Sequence, residues 1–595
     1  MNCYHNSREA LYRAPSGAQP CGTEITLRLR IDEEKQPDKV LLRVWYGQEH
    51  FYDMLPEEDD ATLYWARLAL PETPCLVWYD FHVWSQGQFF WYGNAEDGLG
   101  GEGAPVWGSA RSFQITAYDP AFRAPDWTRG AVFYQIFPDR FRKDENALHR
   151  AGSRDMLAWE TPVPYRADPE TGDFQALDFY GGSLRGVAEK LPYLESLGVT
   201  AIYLNPSFEA TSNHRYDTTD WMRIDSLLGD EADFAALCAA AEKRGIRVVL
   251  DGVFSHAGAM HPDFIAARHS REAKRFGWFL FNNWPDDYKC WWGFRNLPEL
   301  NKQNDGVRRY FLSDEDSVVR HWLRAGSAGW RLDVADELPM DYLRQLRENA
   351  RQEREDAFVL GEVWEDASNK VSYGEMRCYC LGDTLDGVMN YPLREAALDF
   401  LTGKIPSEAF KRRMDSLYEN YPVPFAQALL NLMGSHDRAR VLNVLCGADG
   451  EEIPRAQRGN LRLTSRQREA GKRLLKMLLW LMCFMPGMPC VYYGDEAGME
   501  GATDPFNRAP FPWGREDKEL QTFFSETLRR YRASGVLLDG ALAMEAPCAE
   551  ILCVRRKLGE KSETLCLNRS SHARRVPVFG KETTVPARGW MIVDE

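Results

Sequence analysis

Four acids stand at the ends of four apolar, β-prone runs, and their surroundings hold the residues that could do chemistry. The run Gly329-Trp-Arg-Leu-Asp-Val334 carries Arg331 and Asp333. Side chains two apart on a strand share one face, so this guanidinium and this carboxylate point the same way. A neighbouring positive charge favours the charged form of a carboxyl, so the expectation is an ionised, held Asp333 able to act as a nucleophile. An isolated pair of this kind is more often a structural ion pair. Here the run Phe358-Val-Leu-Gly-Glu362 ends in a second acid, Gly434-Ser-His-Asp437 follows a third run, and Val248-Val-Leu-Asp251 precedes Ser255 and His256. Acids at successive strand ends are what a (β/α)₈ barrel uses, since its chemistry sits at the carboxyl ends of its strands.

The elements that must position these acids recur along the chain. Strand-like runs fall near residues 132–137, 201–205, 247–254, 329–334, 358–363, 385–390, 429–434 and 490–494. Between them, 184–197, 231–244, 318–324, 342–354, 408–420 and 466–484 carry apolar residues at helical spacing. Alternating strands and helices predict a parallel sheet, and eight strands predict a closed barrel. The stretch 255–316 exceeds an ordinary βα loop and holds Trp278, Phe281, Trp284, Trp291 and Trp292, so it reads as a small domain inserted after strand three. Residues 1–118 alternate like strands, with Leu27, Leu29 and Ile31 on one face, and predict a β-sandwich. Most of its aromatics (Trp45, Tyr46, Trp65, Trp78, Tyr79, Trp84, Trp91, Tyr92) are expected in the sandwich core rather than against a ligand. The domain boundaries read 1–118, a barrel domain over 119–535, and a C-terminal β-domain over 536–595.

Cleaving a glycosidic bond takes one ionised carboxylate at the anomeric carbon and one protonated carboxyl for the leaving oxygen. Asp333 beside Arg331 suits the first. Glu362 suits the second, because an apolar, partly closed cleft raises a carboxyl pKa. The residues alone leave open which acid takes which part.

These segments resemble the motifs of the α-amylase family of glycoside hydrolases. Asp251–His256, Gly329–Asp333, Glu362-Val-Trp364 and Ser435–Asp437 are similar to its four motifs in order and spacing. The phrases from Ala131 to Phe141, Ser212 to Asp217 and Met488 to Glu496 are similar to the neopullulanase, cyclomaltodextrinase and maltogenic amylase group. The resemblance implies a retaining mechanism with Asp333 as nucleophile, Glu362 as general acid/base and Asp437 as the third carboxylate, holding sugar hydroxyls. It further implies sugar contacts from Arg331, His256 and His436, a platform from Tyr216 beside His214 with Asp217 in support, and an aromatic wall from Trp364. Asp504 and Arg508 keep the spacing of a pair that holds the non-reducing side. Substrates would be maltodextrins, cyclodextrins or pullulan. Transglycosylation or isomerisation, α-1,6 cleavage, and a non-catalytic glycan-binding barrel are the alternatives. The N-terminal domain resembles a starch-binding one through which this group forms homodimers.

Three departures bear on metal. Ser255 stands where the first motif usually has Asn, Ser183 where relatives often have Asp, and residues 142–146 lack the fuller Asn/Asp run. Hard cations need several oxygen ligands, so neither a cofactor nor a calcium requirement is expected. Glu365 stands where many close relatives have His.

Composition agrees with a sugar substrate. The 595 residues carry a net charge of −16, which disfavours nucleic acid and anionic membranes. Nineteen tryptophans offer apolar faces to sugar rings. Thirteen scattered cysteines read as reduced thiols rather than a disulfide framework. With no apolar run after Met1 and no run long enough to span a bilayer, the expected location is cytoplasmic.

Overall fold

The computed structural model describes residues 2–32, 35–145, 156–167 and 174–595. Its contacts divide the chain into two compact units. The first holds residues 1–124, 365–386 and 408–427, and the second holds 125–364, 387–407 and 428–595.

The second unit contains the barrel. Its strands are β1 (Phe133–Ile136), β2 (Ala201–Leu204), β3 (Arg247–Gly252), β4 (Gly329–Leu332), β5 (Phe358–Gly361), β6 (Gly387–Val388), β7 (Leu430–Leu432) and β8 (Met488–Tyr492). All neighbouring pairs are parallel, and β8 lies between β7 and β1. A parallel bridge from Met389 to Leu430 joins the ends of the ladder. Seven strands lie within the runs that the sequence marks, each shorter than expected, and β8 keeps the expected length but starts two residues earlier, at Met488. They are buried on both faces, which is why they read as near-continuous apolar runs.

The stretch after β3 folds into the helix Pro262–His269, the hairpin Phe281–Asn283 with Asp287–Tyr288, and further turns. An antiparallel sheet of Ala541–Cys548, Ile551–Leu558, Lys561–Asn568 and Gly589–Asp594 closes the chain.

The first unit is a β-sandwich of a five-stranded and a seven-stranded sheet. Ile25, Leu27, Leu29 and Ile31 face Val77, Tyr79, Phe81 and Val83 across its core. The expectation that most of its aromatics lie in that core does not hold. Of the eight, only Tyr79 and Tyr92 are buried. Tyr46 is half-buried against the core, alternation along the strands turns most of the others outward, and Trp45 stands directly across from Trp78 on the outer face. Two later segments complete this unit: Glu419 pairs with Arg8 and Arg13, the Thr116 hydroxyl donates to the Asn420 carbonyl, and the Tyr421 hydroxyl accepts from the Ala367 amide.

Candidate active site

One guanidinium organises the open end of the barrel. The β3–β4 register sets Arg331 opposite Asp251, and Arg331 Nη1 donates to both Asp251 oxygens at 2.8 and 3.0 Å. The same nitrogen donates to Asp333 Oδ1 at 3.0 Å. Arg331 Nη2 stands 2.8 Å from Glu362 Oε2. The backbone adds a donor: Val334 takes a left-handed φ of 36°, rare for a β-branched residue, and its amide donates to Glu362 Oε2 at 2.8 Å. Trp364 Nε1 donates to Glu362 Oε1 at 3.0 Å.

This sharing changes the expectation for Asp333. Arg331 is divided among three carboxylates, so it does not hold Asp333 ionised by itself. Burial, with the charges of Glu362 and Asp251, raises the Asp333 pKa well above the usual carboxylate range despite Arg331. Burial also raises Asp251. Asp437 keeps some contact with solvent, yet burial and the Glu362 charge push it up to about 7. Asp251, Asp333 and Asp437 are thus all raised, and the proton they hold belongs to the coupled carboxyls rather than to one residue.

The rest of the site is a hydrogen-bonded frame. Gln135 Nε2 donates to His436 Nδ1 at 2.9 Å, so the proton of the neutral ring sits on Nε2. That nitrogen meets the Tyr216 hydroxyl and lies 3.2 Å from Asp437 Oδ1. Burial lowers the His436 pKa well below its ordinary value. Tyr216 lies parallel to the His436 ring at 5.4 Å and donates to Asp251 Oδ2 at 3.1 Å. His214, 5.8 Å from the Tyr216 ring, accepts the Tyr216 amide at 3.1 Å. Asp217 accepts from Ser212 and Thr211 and so ties down this loop.

Three of the expected roles are altered. His256 has no free ring nitrogen in this structure: Nδ1 bonds Ser255 Oγ at 2.8 Å and Nε2 bonds the Tyr216 carbonyl at 3.2 Å. It supports Tyr216, and Ser255 fixes its ring. Asp504 and Arg508 point different ways. Asp504 faces outward to Arg455 at 2.8 Å, whereas the turn Phe506–Arg508 directs Arg508 Nε inward to the His436 carbonyl at 2.9 Å. Arg508 Nη2 then lies 3.7 Å from Asp437. The Trp364 ring is no bare wall, because Tyr391 lies flat against it at 4.2 Å and the Arg438 guanidinium lies 4.3 Å from its centroid.

An aromatic ladder supplies what Trp364 does not. Trp291 packs beside His256 at 5.6 Å and stacks on Trp292 at 4.9 Å and Phe294 at 5.8 Å. Trp292 is 70% exposed and is anchored by its Nε1 donating to Glu337. Sequence reasoning also gave no role to Tyr203, whose hydroxyl donates to Asp251 at 2.8 Å, nor to Gln135. Ser183, at the position weighed for metal, caps the helix Leu184–Glu189 and donates to Asp144 at 2.6 Å. Asn146 of that acidic run lies outside the described residues.

A parallel eight-stranded barrel with carboxylates converging at its strand ends is the architecture of an acid–base enzyme acting on a bond within its mouth. Comparison with known proteins gives the family. The family model "Alpha amylase, catalytic domain" matches residues 135–532. The amylopullulanase of Thermoanaerobacter thermohydrosulfuricus is 33% identical over 604 residues, covering 90% of this chain and 39% of its own. Neopullulanase 2 of Thermoactinomyces vulgaris is 33% identical over 558 residues, covering 89% of this chain and 85% of its own. The solved cyclic α-maltosyl-(1→6)-maltose hydrolase from Arthrobacter globiformis superimposes with a TM-score of 0.68 at 29% identity, covering 79% of this chain and 99% of its own. The chain spans between 32 and 46% of the three amylopullulanases that it matches. It belongs to the α-amylase family.

Proposed function

We propose that this protein is a retaining glycoside hydrolase of α-1,4-glucosidic bonds in short or cyclic α-glucans. The observation that carries the reading is that one buried guanidinium holds Asp333 and Glu362 together at adjacent strand ends. Asp333 attacks the anomeric carbon while Glu362 gives a proton to the leaving oxygen. Glu362 then takes a proton from water, which releases the sugar from Asp333. Asp437, Arg508 and His436 line the position of the cleaved sugar, and Tyr216 offers it an aromatic face. No cofactor enters these steps. The aromatic ladder of Trp291, Trp292 and Phe294 is placed to stack a sugar further along the chain.

The names of the matched proteins support two linkages, since cyclomaltodextrinases and amylopullulanases both occur among them. Chromatography of products from β-cyclodextrin and pullulan in parallel separates α-1,4 from α-1,6 cleavage. Retention is tested by following the anomeric signal of the first product by NMR. An α-anomer formed first supports Asp333 as nucleophile; a β-anomer formed first overturns it. A homodimer built through the N-terminal sandwich and a cytoplasmic location belong to the same reading. Light scattering of the intact chain tests the first. Fractionation of the source cells with activity followed in each fraction tests the second; no helix among the described residues is long and apolar enough to cross a membrane.

A further inference from the structure

The two oxygens of Glu362 are not equivalent. Oε2 takes the Val334 amide and faces Arg331 Nη2, both at 2.8 Å. Oε1 meets a single donor, the indole N–H of Trp364, at 3.0 Å. A proton on Oε2 would meet the Val334 N–H and crowd against the Arg331 guanidinium, so the transferable proton belongs on Oε1. A hydroxyl oxygen there can still accept the indole N–H through a lone pair.

The indole is itself held. Its ring is parallel to Tyr391, 6° between planes at 4.2 Å, with the Arg438 guanidinium at 4.3 Å. Tyr391 reaches Ser435 Oγ at 3.5 Å, and Arg438 lies 3.9 Å from Glu395. Cation–π and stacked contacts of this kind fix an aromatic ring in place. With its ring so engaged, Trp364 offers the site chiefly its N–H.

We infer that Trp364 is a positioning residue for the acid step: its indole N–H holds Glu362 Oε1, the oxygen left to carry the proton, and steadies the carboxylate left when that proton goes to the leaving oxygen. Tyr391 and Arg438 hold the indole for this task. The inference deepens the reading of Glu362 as proton donor and rests on it. The balance is simple: the Oε1–H bond breaks, a hydroxyl forms on the departing sugar, and the electrons left on Oε1 are met by the N–H.

The test compares two substrates that differ in their need for an acid. Maltotriose has a poor leaving group and needs the proton; α-maltosyl fluoride has a good one and needs little. Trp364→Phe keeps a stacking ring and removes the N–H. Its kcat/KM on maltotriose is expected to fall by about tenfold, the worth of one hydrogen bond to a charged group, while that on the fluoride stays within about twofold. The fluoride rate also shows that the variant is folded. Equal losses on both substrates would overturn the inference and leave Trp364 as a sugar platform. Arg438→Gln, which loosens the ring but keeps the N–H, is expected to show the same selectivity at smaller size; a loss confined to the fluoride would count against it. Glu362→Gln on the same pair isolates the underlying reading. If it loses as much on the fluoride as on maltotriose, Glu362 is not the proton donor, whatever Trp364 does.

Discussion

Two groups of buried acids sit in the same barrel, and only one is built to react. At the end of β8, Glu496 is fully enclosed, and burial pushes it up to about 7, while burial brings Asp495 up to about 6. Their oxygens are largely satisfied: Glu496 receives the Tyr134 and Tyr193 hydroxyls at 2.7 and 2.6 Å and the Gly494 amide at 3.0 Å. Asp495 pairs with Arg440 at 3.1 Å. At the ends of β3, β4 and β5 the acids instead share one guanidinium, and Asp437 at the end of β7 still meets solvent. Raised pKa values are common to both groups. What separates them is access: the Glu496 group has no opening, whereas the other opens to where a substrate would lie. A perturbed carboxyl thus marks a site only when a substrate can also reach it.

The largest test of this contrast is removal of a reacting acid. Asp333→Asn and Glu362→Gln are each expected to lower kcat by at least about 10³ without unfolding the protein, because each removes a covalent or proton-transfer role. Turnover near that of the parent in either purified variant would place the reaction elsewhere.

Next in size is the pH dependence. Asp437 loses its proton as pH rises through about 7 and places a negative charge beside Glu362 and Asp333, so kcat/KM should fall along that limb. Asp437→Asn removes a negative charge beside Glu362 and Asp333, and the remaining acids then release their proton at lower pH. The limb should move down; one that stays in place would mean that Asp437 is not electrically part of the cluster.

The enclosed group should answer in stability alone. Glu496→Gln sets an amide N–H₂ against the Gly494 amide and is expected to cost about 1–3 kcal/mol, with kcat little changed. The folded carboxyl holds its proton up to about 7, far above the unfolded range. The stability it contributes is therefore present at acid pH and lost as pH rises through about 7. Melting curves should show the largest deficit of the variant near pH 5, narrowing above 7. A deficit that widens with pH would reverse the assignment.

The smallest expected effect is that of chelation. With Ser183 spent on a helix cap and Asp144, EDTA should leave both activity and Tm unchanged. A fall in Tm that calcium restores would show ligands beyond those seen.

The barrel and its acids were legible in the sequence for a local reason. Parallel strands buried on both faces leave apolar runs, and an acid ending such a run is visible within ten residues. The partners that tune those acids are not local. Gln135 reaches His436 across 301 positions, and Tyr391 and Arg438 meet on Trp364 from β6 and β7 turns. No spacing rule joins them. The sandwich aromatics are a different matter: alternation places Val44 inward and Trp45 outward, so that signal was present in the sequence. Aromatic character outweighed it in the reading. The helix at 408–420 was legible as a helix, but amphipathic spacing names a buried face and never the neighbour that buries it.

That helix has a consequence for how the chain comes into being. The first unit begins at Asn2 but takes in residues 365–386 and 408–427. During synthesis its opening strands leave the ribosome long before the residues that complete it. Arg8 and Arg13 wait some four hundred residues for Glu419. A fragment ending at residue 124 is therefore expected to be less resistant to proteolysis than the same strands in the whole chain, and limited trypsin digestion of the two compares them directly. Domains generally mature from the amino end as they are made, but here the unit that holds residues 1–124 stays unfinished until residues 408–427 have followed.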